Sequence, residues 1–178
     1  MKCSEIKMCT IRNIEEKDVS RVAEIHVRSW QVAYKGILPQ EFLDNLSIKQ
    51  RETLWRNDIF PKMGRSNYVL EVAGNVLGWV SVGPSRDDDA DENIIGELYG
   101  IYLDPQFYRI GYGTKLWREA KQYLFRNGFN KITLWVLEEN VRARRFYEKI
   151  GFILEKDAVK ELDWLDGAKE VRYRYNIV

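Results

Sequence analysis

The chain has 178 residues, 31% of them charged, and its acidic and basic residues nearly cancel to a formal charge of +1. This length allows one domain of ordinary size with a hydrophobic core of its own. A balanced charge gives no overall field that would draw the protein to nucleic acid or to an anionic membrane. Neither partner is expected, and any anion site must be local.

Metal binding and secretion are also disfavoured. Cys3 and Cys9 have no Cys or His neighbours at ligand spacing, and His26 is the only histidine, so no metal site is expected. The N-terminal residues lack the apolar segment of a signal peptide, and no apolar run of about 18 residues suggests a membrane span. We therefore expect a cytoplasmic protein.

The first half of the chain predicts strands and helices in alternation. Residues 9–14 predict a strand, and residues 19–34 carry apolar side chains at the spacing of a long amphipathic helix. Residues 39–58 predict one or two short helices. Residues 68–82 then predict a β-hairpin whose turn lies at Gly74 and Asn75.

A polar segment, residues 83–93, follows the hairpin and contains three consecutive aspartates. Its composition is typical of a solvated mobile loop. The alternative is a loop that gates a site and attracts cationic substrates.

The second half predicts buried strands and helices in turn. Residues 94–104 form a nearly continuous apolar run, typical of a central strand buried on both faces. Residues 115–126 predict a helix and residues 131–137 another buried strand. Asn140 is a plausible cap for a helix at residues 141–150. The last two strands are expected at residues 152–161 and 170–178, which completes one α/β domain on a mixed sheet.

The turn at residues 105–114 lies between a strand and a helix, where backbone N–H groups can converge on an anion. Gly111 and Gly113 permit close approach of a ligand to the backbone. The pair also fits a purely structural turn, and neither GxGxxG nor a Gly-Lys-Ser/Thr ending is present. The turn alone therefore leaves both interpretations open.

A wider pattern is more specific. Residues 101–105 (IYLDP), residues 111–116 (GYGTKL), Asn140 and residues 146–152 (FYEKIGF) together resemble the GNAT superfamily of N-acetyltransferases. The resemblance covers the element order of nearly the whole chain. It implies an α/β (α+β) fold with one N-acetyltransferase domain at residues 1–178. The implied sheet is mixed and mostly antiparallel, with about seven strands and about four flanking helices. The acetyl-CoA-binding core would span about residues 94–152.

The resemblance also implies which residues bind the cofactor. In the family the loop reads Arg/Gln-x-x-Gly-x-Gly/Ala, and its backbone binds the pyrophosphate of acetyl-CoA. Here Tyr108 stands at the Arg/Gln position and Arg109 follows it, so the contact is expected from the backbone. The implied cofactor-binding residues are Ile101, Leu103, Tyr108, Arg109, Ile110, Gly111, Tyr112, Gly113, Thr114, Asn140 and Tyr147.

Acetyl transfer to an amine calls for a base, an oxyanion donor and an acid. Presenting a lysine-like amine in its neutral form at pH 7 costs roughly 5 kcal/mol. Glu97, in an apolar run, is the candidate base, acting directly or through one water, unless it is a glutamate in an ordinary salt bridge. Gly100 allows a bulge that frees an N–H for the carbonyl oxygen, or it only gives space to a neighbour. Tyr147, by its family position, is the acid for the leaving thiolate; the alternative is a core tyrosine with a satisfied hydroxyl.

The acceptor side is built in this family from the first helices, the facing strands and the last hairpin. Aromatic walls there would hold a cationic amine by cation–π contact worth roughly 0.5 to 2 kcal/mol, or serve only as core. His26 is expected to be packed rather than catalytic, and the arginines of residues 142–145 either reach the cofactor's phosphates or form a solvated helix face. The candidate walls are Trp30, Tyr34, Trp79, Tyr99 and Trp164.

These features predict an N-acetyltransferase. It would move an acetyl group from acetyl-CoA to a primary amine, on a small molecule or a peptide N-terminus, by direct attack in a ternary complex. The acceptor and the oligomeric state stay open, a homodimer being one possibility. The alternative function is a non-catalytic acyl-CoA-binding or protein-interaction module with the same fold. A nucleotide-binding enzyme is disfavoured by the missing fingerprints.

Overall fold

The computed structural model describes residues 9–59, 65–165 and 167–177, so Cys3 lies outside the described residues. The described part contains the predicted alternation of elements, and of the one or two short helices expected between the first long helix and the hairpin there are two. The strands are β1 (Cys9–Asn13), β2 (Ser66–Val72), β3 (Asn75–Pro84), β4 (Ile95–Leu103), β5 (Lys131–Leu137), β6 (Ile153–Leu162) and β7 (Ala168–Asn176). The helices are α1 (Val19–Ala33), α2 (Gln40–Asp44), α3 (Ile48–Ile59), α4 (Tyr112–Arg126) and α5 (Val141–Lys149).

The turn of the β2–β3 hairpin differs from the prediction by one residue. Ala73 and Gly74 occupy it, with φ of 50° and 78°, and Val72 pairs with Asn75. Two successive residues with positive φ are what a two-residue hairpin turn requires. Gly74 meets this requirement without strain, whereas the alanine before it gave no signal in the sequence.

The seven strands form one sheet in the order β1-β2-β3-β4-β5-β7-β6. All neighbours are antiparallel except β4 and β5, which run parallel and pair only where Ile95–Glu97 meets Lys131–Thr133. Beyond that point the two central strands separate. The mixed, mostly antiparallel sheet expected from the sequence is confirmed, and its one parallel pair opens at the centre.

A β-bulge lies in β4 where it leaves β5. Ser81 of β3 pairs with Gly100, and the next residue, Val82, pairs with Leu98, so Tyr99 is the extra residue. A bulge bends its strand and increases the local twist, which accounts for the divergence of β4 from β5. A Cβ on Gly100 would also stand 3.0 Å from the Tyr102 ring. A bulge lies beside Gly100 and a neighbouring ring needs the space that this glycine leaves, while its role toward the carbonyl oxygen stays a prediction.

Helices cover both faces of the sheet. Leu116 of α4 and Leu70 of β2 belong to one buried cluster, while Val22 of α1 and Val69 of β2 belong to another. Because adjacent strand residues point to opposite faces, α1 and α4 lie on opposite sides. In the described ranges no helix is both long and apolar enough to cross a bilayer, and no three His, Cys, Asp or Glu side chains converge as metal ligands.

The acidic segment between β3 and β4 is solvated as predicted at Asp88, Asp89 and residues 91–93, which are exposed, but its first part is held against the sheet. Asp87 is buried, and its carboxylate accepts hydrogen bonds from Trp135 Nε1 at 2.9 Å and Lys160 Nζ at 2.7 Å. Arg172 pairs with both Asp87 and Asp89. Since these two carboxylates already hold cations of the protein, the segment is fixed to β5, β6 and β7, and they are not available to attract a cationic substrate.

Candidate active site

The separated strands β4 and β5 enclose a cleft of about 680 Å³, here called the main cleft. Its walls are the free edge of β4, the turn before α4, and α5. Nine of the eleven residues implied as cofactor contacts line it: Ile101, Leu103, Tyr108, Arg109, Gly111, Gly113, Thr114, Asn140 and Tyr147. The other two, Ile110 and Tyr112, lie in the same turn but do not line the cleft. Ile110 is 57% exposed, and Tyr112 packs against the core.

The N-terminus of α4 opens into the main cleft. Gly111, with φ of 91°, is the residue before the helix, and no side chain caps the N–H groups of the first turn. Those N–H groups have no acceptor within the helix, and the helix dipole adds partial positive charge. A Cβ on Gly113 would lie 3.3 Å from the Phe146 ring, so glycine also allows α4 and α5 to approach closely. The turn is therefore suited to an anion.

Basic side chains also line the main cleft. Arg109, Arg142, Arg145 and Lys149 line it, and the Arg142 guanidinium lies 3.9 Å from the centre of the Tyr108 ring. Arg144 is different, because it donates to the Tyr173 hydroxyl at 3.0 Å and to the Glu138 carbonyl at 2.9 Å. The arginine cluster predicted on α5 thus divides into two cleft residues and one that links α5 to the sheet.

Helix α5 brings two predicted residues to the cleft. Asn140 caps the helix as expected, its Oδ1 accepting the Ala143 N–H at 3.1 Å. Tyr147 is buried but lines the cleft, and its hydroxyl bonds to no described residue. Burial raises the pKa of Tyr147, and nearby Tyr102 adds to the effect. The phenol therefore stays protonated at neutral pH, without the satisfied hydroxyl of an ordinary core tyrosine.

Glu97, the predicted base, is 1% exposed and does not line the main cleft. Its carboxylate accepts the Arg86 backbone N–H at 3.0 Å and Arg86 Nε at 3.1 Å, with a further contact to the guanidinium. It faces a smaller cavity of about 320 Å³, the glutamate cavity, together with Asp87, Tyr99, Trp135, Lys160 and Glu170. The structure thus contains the ordinary ion pair that was the alternative to catalysis, and the base role stays a prediction.

Glu170 was not identified from the sequence. It lines both the main cleft and the glutamate cavity, and its carboxylate forms no ion pair or hydrogen bond with a described residue. Burial raises the pKa of Glu170; the charges of Lys160 and Arg86 oppose this shift, and that of Glu97 adds to it. In the sequence it is one of several polar residues alternating along β7. Only the opening of the sheet distinguishes it from Arg172 or Arg174.

A third cavity, of about 210 Å³, lies beside the main cleft and is here called the arginine cavity. Among the predicted acceptor walls, Trp30 lines both the arginine cavity and the main cleft. Trp79 lines only the arginine cavity, and Tyr34 lines only the main cleft. Trp164 borders the main cleft but is 65% exposed. Tyr99, the bulged residue, lines all three cavities. The three cavities therefore meet at the bulge.

His26 is packed among aromatic rings in the wall of the arginine cavity. Trp55 Nε1 lies 3.2 Å from its Nδ1, and the rings of Trp79 and Tyr102 lie 5.1 and 5.4 Å away. Burial, with a smaller effect of Arg51, lowers the pKa of His26 to about 3. It is a neutral hydrogen-bond acceptor, as expected of a packed histidine.

Comparisons with known proteins agree with this geometry. A sequence profile described as the Acetyltransferase (GNAT) family matches residues 20–152. The uncharacterized N-acetyltransferase YuaI of Bacillus subtilis is 34% identical over 137 residues, which cover 75% of this chain and 74% of that protein. Spermidine N(1)-acetyltransferase of Thermoplasma acidophilum is 25% identical over 174 residues, 92% of this chain and 96% of that protein.

The fold recurs among solved structures. The PaiA N-acetyltransferase from Thermoplasma acidophilum, in complex with coenzyme A, matches with a TM-score of 0.76 at 20% identity. The match covers 94% of this chain and 99% of that one. At this identity the likeness concerns the fold.

Proposed function

The chain belongs to the acetyltransferase (GNAT) family, and from this premise we propose that it transfers the acetyl group of acetyl-CoA to a primary amine by direct attack in a ternary complex. The meeting of three cavities at Tyr99 carries the proposal. Two substrates can reach that point from different sides, as direct transfer requires. The single sheet formed by the described strands supports one domain at residues 1–178 with a cofactor core at about residues 94–152.

The main cleft fits acetyl-CoA, which supplies the activated acetyl group. The N–H groups of residues 111–114 suit its pyrophosphate, and Arg109, Arg142 and Arg145 suit its phosphate charges. The edge of β4 beyond Glu97 has no strand partner within the described chain, so backbone groups of Ile101 and Leu103 are available to amide groups. Arg142, held over the Tyr108 ring, provides the charge that the loop lacks at its first position.

Removing a proton from the attacking amine is assigned to Glu170 in preference to Glu97. Glu170 lines the main cleft and has no partner among the described residues, whereas Glu97 is paired with Arg86. A raised pKa makes a carboxylate a stronger base for its task near neutral pH. Glu97 remains a candidate through a water, and it also fixes Arg86 between the glutamate and arginine cavities.

Two further roles belong to the bulge and to α5. We assign to the backbone N–H groups of the bulge at Tyr99 and Gly100, where the β3–β4 register shifts, the stabilisation of the charge that develops on the carbonyl oxygen. Tyr147, protonated and lining the cleft, donates its proton to the leaving thiolate. The buried hydroxyls of Tyr34 and Tyr102, 3.2 Å apart, line the same cleft.

A thiol-release assay with acetyl-CoA and a panel of amines tests the proposal. We expect turnover with at least one amine, an acetylated amine by mass spectrometry, and initial-rate lines that intersect. Coenzyme A binding without turnover on any amine would instead support the non-catalytic acyl-CoA module. Preferential binding of NAD or ATP would indicate a nucleotide-binding enzyme.

The ternary mechanism has its own test. Incubating the protein with acetyl-CoA alone should leave its intact mass unchanged, because the acetyl group passes directly to the amine. An acetylated protein together with parallel initial-rate lines would contradict direct attack.

A further inference from the structure

The arginine cavity is positively charged. Three arginines, Arg51, Arg65 and Arg86, line it together with aromatic side chains, and no carboxylate among the described side chains does. Glu97 neutralises Arg86 from the glutamate cavity, and Arg65 Nε donates to Ser81 Oγ at 3.1 Å. The positive charge available to a ligand in this cavity is therefore that of Arg51.

Arg51 is the least compensated of these cations. It is partly buried on α3, and no carboxylate whose side chain the structure describes pairs with it. Burial lowers the pKa of Arg51, which reflects an unfavourable environment for its charge. A charge removed from water without a partner is costly, and an anionic ligand would relieve that cost.

Arginines already occupy ring faces of two of the five predicted aromatic walls, Trp30 and Tyr99, so those faces are not open to a cationic acceptor. The Arg51 guanidinium lies 5.4 Å from the centre of the Trp30 ring, and those of Arg65 and Arg86 lie 5.0 and 4.4 Å from the Tyr99 ring. A second cation placed there would be repelled. The rings instead hold the guanidinium groups in place.

The cavity wall also contains an unused hydrogen-bond donor. The indole N–H group of Trp79 is buried and has no partner in the described structure, and Trp79 is only 4% exposed. Buried donors are normally satisfied, so an unpaired one beside a cavity points to a ligand with an acceptor oxygen.

We propose that the arginine cavity binds an anionic group, a carboxylate or a phosphate, carried by the acceptor, so that the substrate is a small amine with a negatively charged end. The inference rests on the proposed function. Guanidinium groups bind such oxyanions with two parallel hydrogen bonds. The cavity shares Trp30, Tyr99 and Tyr102 with the main cleft, so an acceptor held at Arg51 directs its amine toward the bulge. Its volume of about 210 Å³ suits a small molecule.

Matched acceptor pairs test the charge requirement. A graded series of ω-amino acids is compared with the corresponding amides, 2-aminoethyl phosphate with 2-aminoethanol, and spermidine serves as the polycation. We expect kcat/KM to favour the anionic member of at least one pair by about tenfold or more, corresponding to one charge-assisted contact. Comparing the pair that differs in a carboxylate with the pair that differs in a phosphate identifies which oxyanion the cavity binds.

Arg51→Gln tests the site itself. It should raise KM for the preferred anionic amine by about 10- to 100-fold and leave KM for acetyl-CoA unchanged. The matched control is Arg56→Gln on the same helix, because Arg56 is exposed, pairs with Glu16 and Glu52, and lies outside the cavity. Arg51→Lys keeps the positive charge but lacks the planar guanidinium that binds an oxyanion with two hydrogen bonds, so its KM should be intermediate. This variant tests the site if Arg51→Gln fails to fold.

The outcomes separate the inference from the function. Turnover of amides, 2-aminoethanol or spermidine at rates equal to or above those of anionic amines would overturn the anionic acceptor while leaving the acetyltransferase intact. So would a KM for anionic amines that does not change in Arg51→Gln. Coenzyme A binding without turnover on any amine, charged or neutral, would refute the proposed function, and the inference with it.

Discussion

At the scale of single residues, burial decides which groups can take part in proton transfer. Tyr147 is kept protonated by its surroundings, Glu170 is shifted toward neutrality, and His26 is kept neutral. The sequence predicted the acid role of Tyr147 from its family position, and it predicted the packed state of His26 from its place on an apolar helix face. It did not predict Glu170, because alternation along a strand says which side a residue faces and not where the sheet opens.

Tyr147→Phe should lower kcat by about 100-fold, since the leaving thiolate loses its proton donor. KM for acetyl-CoA should change little, because the ring and its packing remain. Tyr68→Phe is the control, as Tyr68 packs on Tyr123 outside the three cavities. Equal steady-state kinetics in wild type and Tyr147→Phe would remove Tyr147 from the mechanism.

Glu170→Gln should lower kcat by about 100-fold and remove the acidic limb of the rate profile. Glu170 accepts a proton only when ionised, and its pKa is raised, so wild-type activity should fall as pH decreases through that raised value. The profile of kcat/KM against pH measures this.

Glu97→Gln is the comparison for that experiment. It should keep the acidic limb and mainly lower the thermal midpoint, because Arg86 loses its partner. If Glu97→Gln removes the acidic limb and Glu170→Gln keeps it, Glu97 is the base after all.

At the scale of elements, β4 and the N-terminus of α4 form the side of the main cleft that we propose for the cofactor. Their existence was predictable, since an apolar run, a glycine-containing turn and an amphipathic helix follow one another. Two local features were not. Ala73 takes a positive φ because a two-residue hairpin turn requires it at both positions. The first part of the acidic segment is held in place because Asp87 pairs with Lys160 and Arg172, which come more than 70 positions later.

Arg142→Gln should raise KM for acetyl-CoA by about 3- to 10-fold, with kcat nearly unchanged, because one charge beside the phosphate turn is lost. The expected effect is modest, since the side chain is exposed. Arg118→Gln, on the exposed side of α4, should behave as wild type. An unchanged KM in Arg142→Gln would leave Arg142 as part of a solvated helix face.

At the scale of the whole molecule, the site depends on how the sheet is ordered. β7 inserts between β5 and β6, which places Glu170 beside the main cleft, and the parallel pair β4–β5 stays together for only three residues of each strand. Strand order and the length of a pairing are set by contacts between distant segments, and no local pattern encodes them. For the same reason the meeting of α1, α3 and β4 around the arginine cavity could not be foreseen.

Global stability should depend on pH through His26. Its folded pKa of about 3 lies below the ordinary 6.5, so between these values the unfolded chain binds a proton that the folded chain does not. The contribution of neutral His26 to the free energy of unfolding is complete above pH 6.5 and is lost as the pH falls toward 3. Urea midpoints measured between pH 6.5 and 5 should therefore decrease on acidification.

His26→Gln should flatten that slope, because His26 is the only histidine and most carboxylates titrate lower. Glu170 acts in the opposite direction, since its raised pKa favours the folded state on acidification. Parallel slopes for the two proteins would show that His26 does not control this range.

We propose that the opening between β4 and β5 presents acetyl-CoA to an acceptor at the Tyr99 bulge. A crystal structure of the protein with coenzyme A tests this arrangement. We predict the pyrophosphate on the N–H groups of residues 111–114, the pantetheine along Ile101 and Leu103, and the sulfur beside Tyr147. Coenzyme A bound outside the main cleft, or a sulfur directed away from Tyr147 and the bulge, would contradict the account.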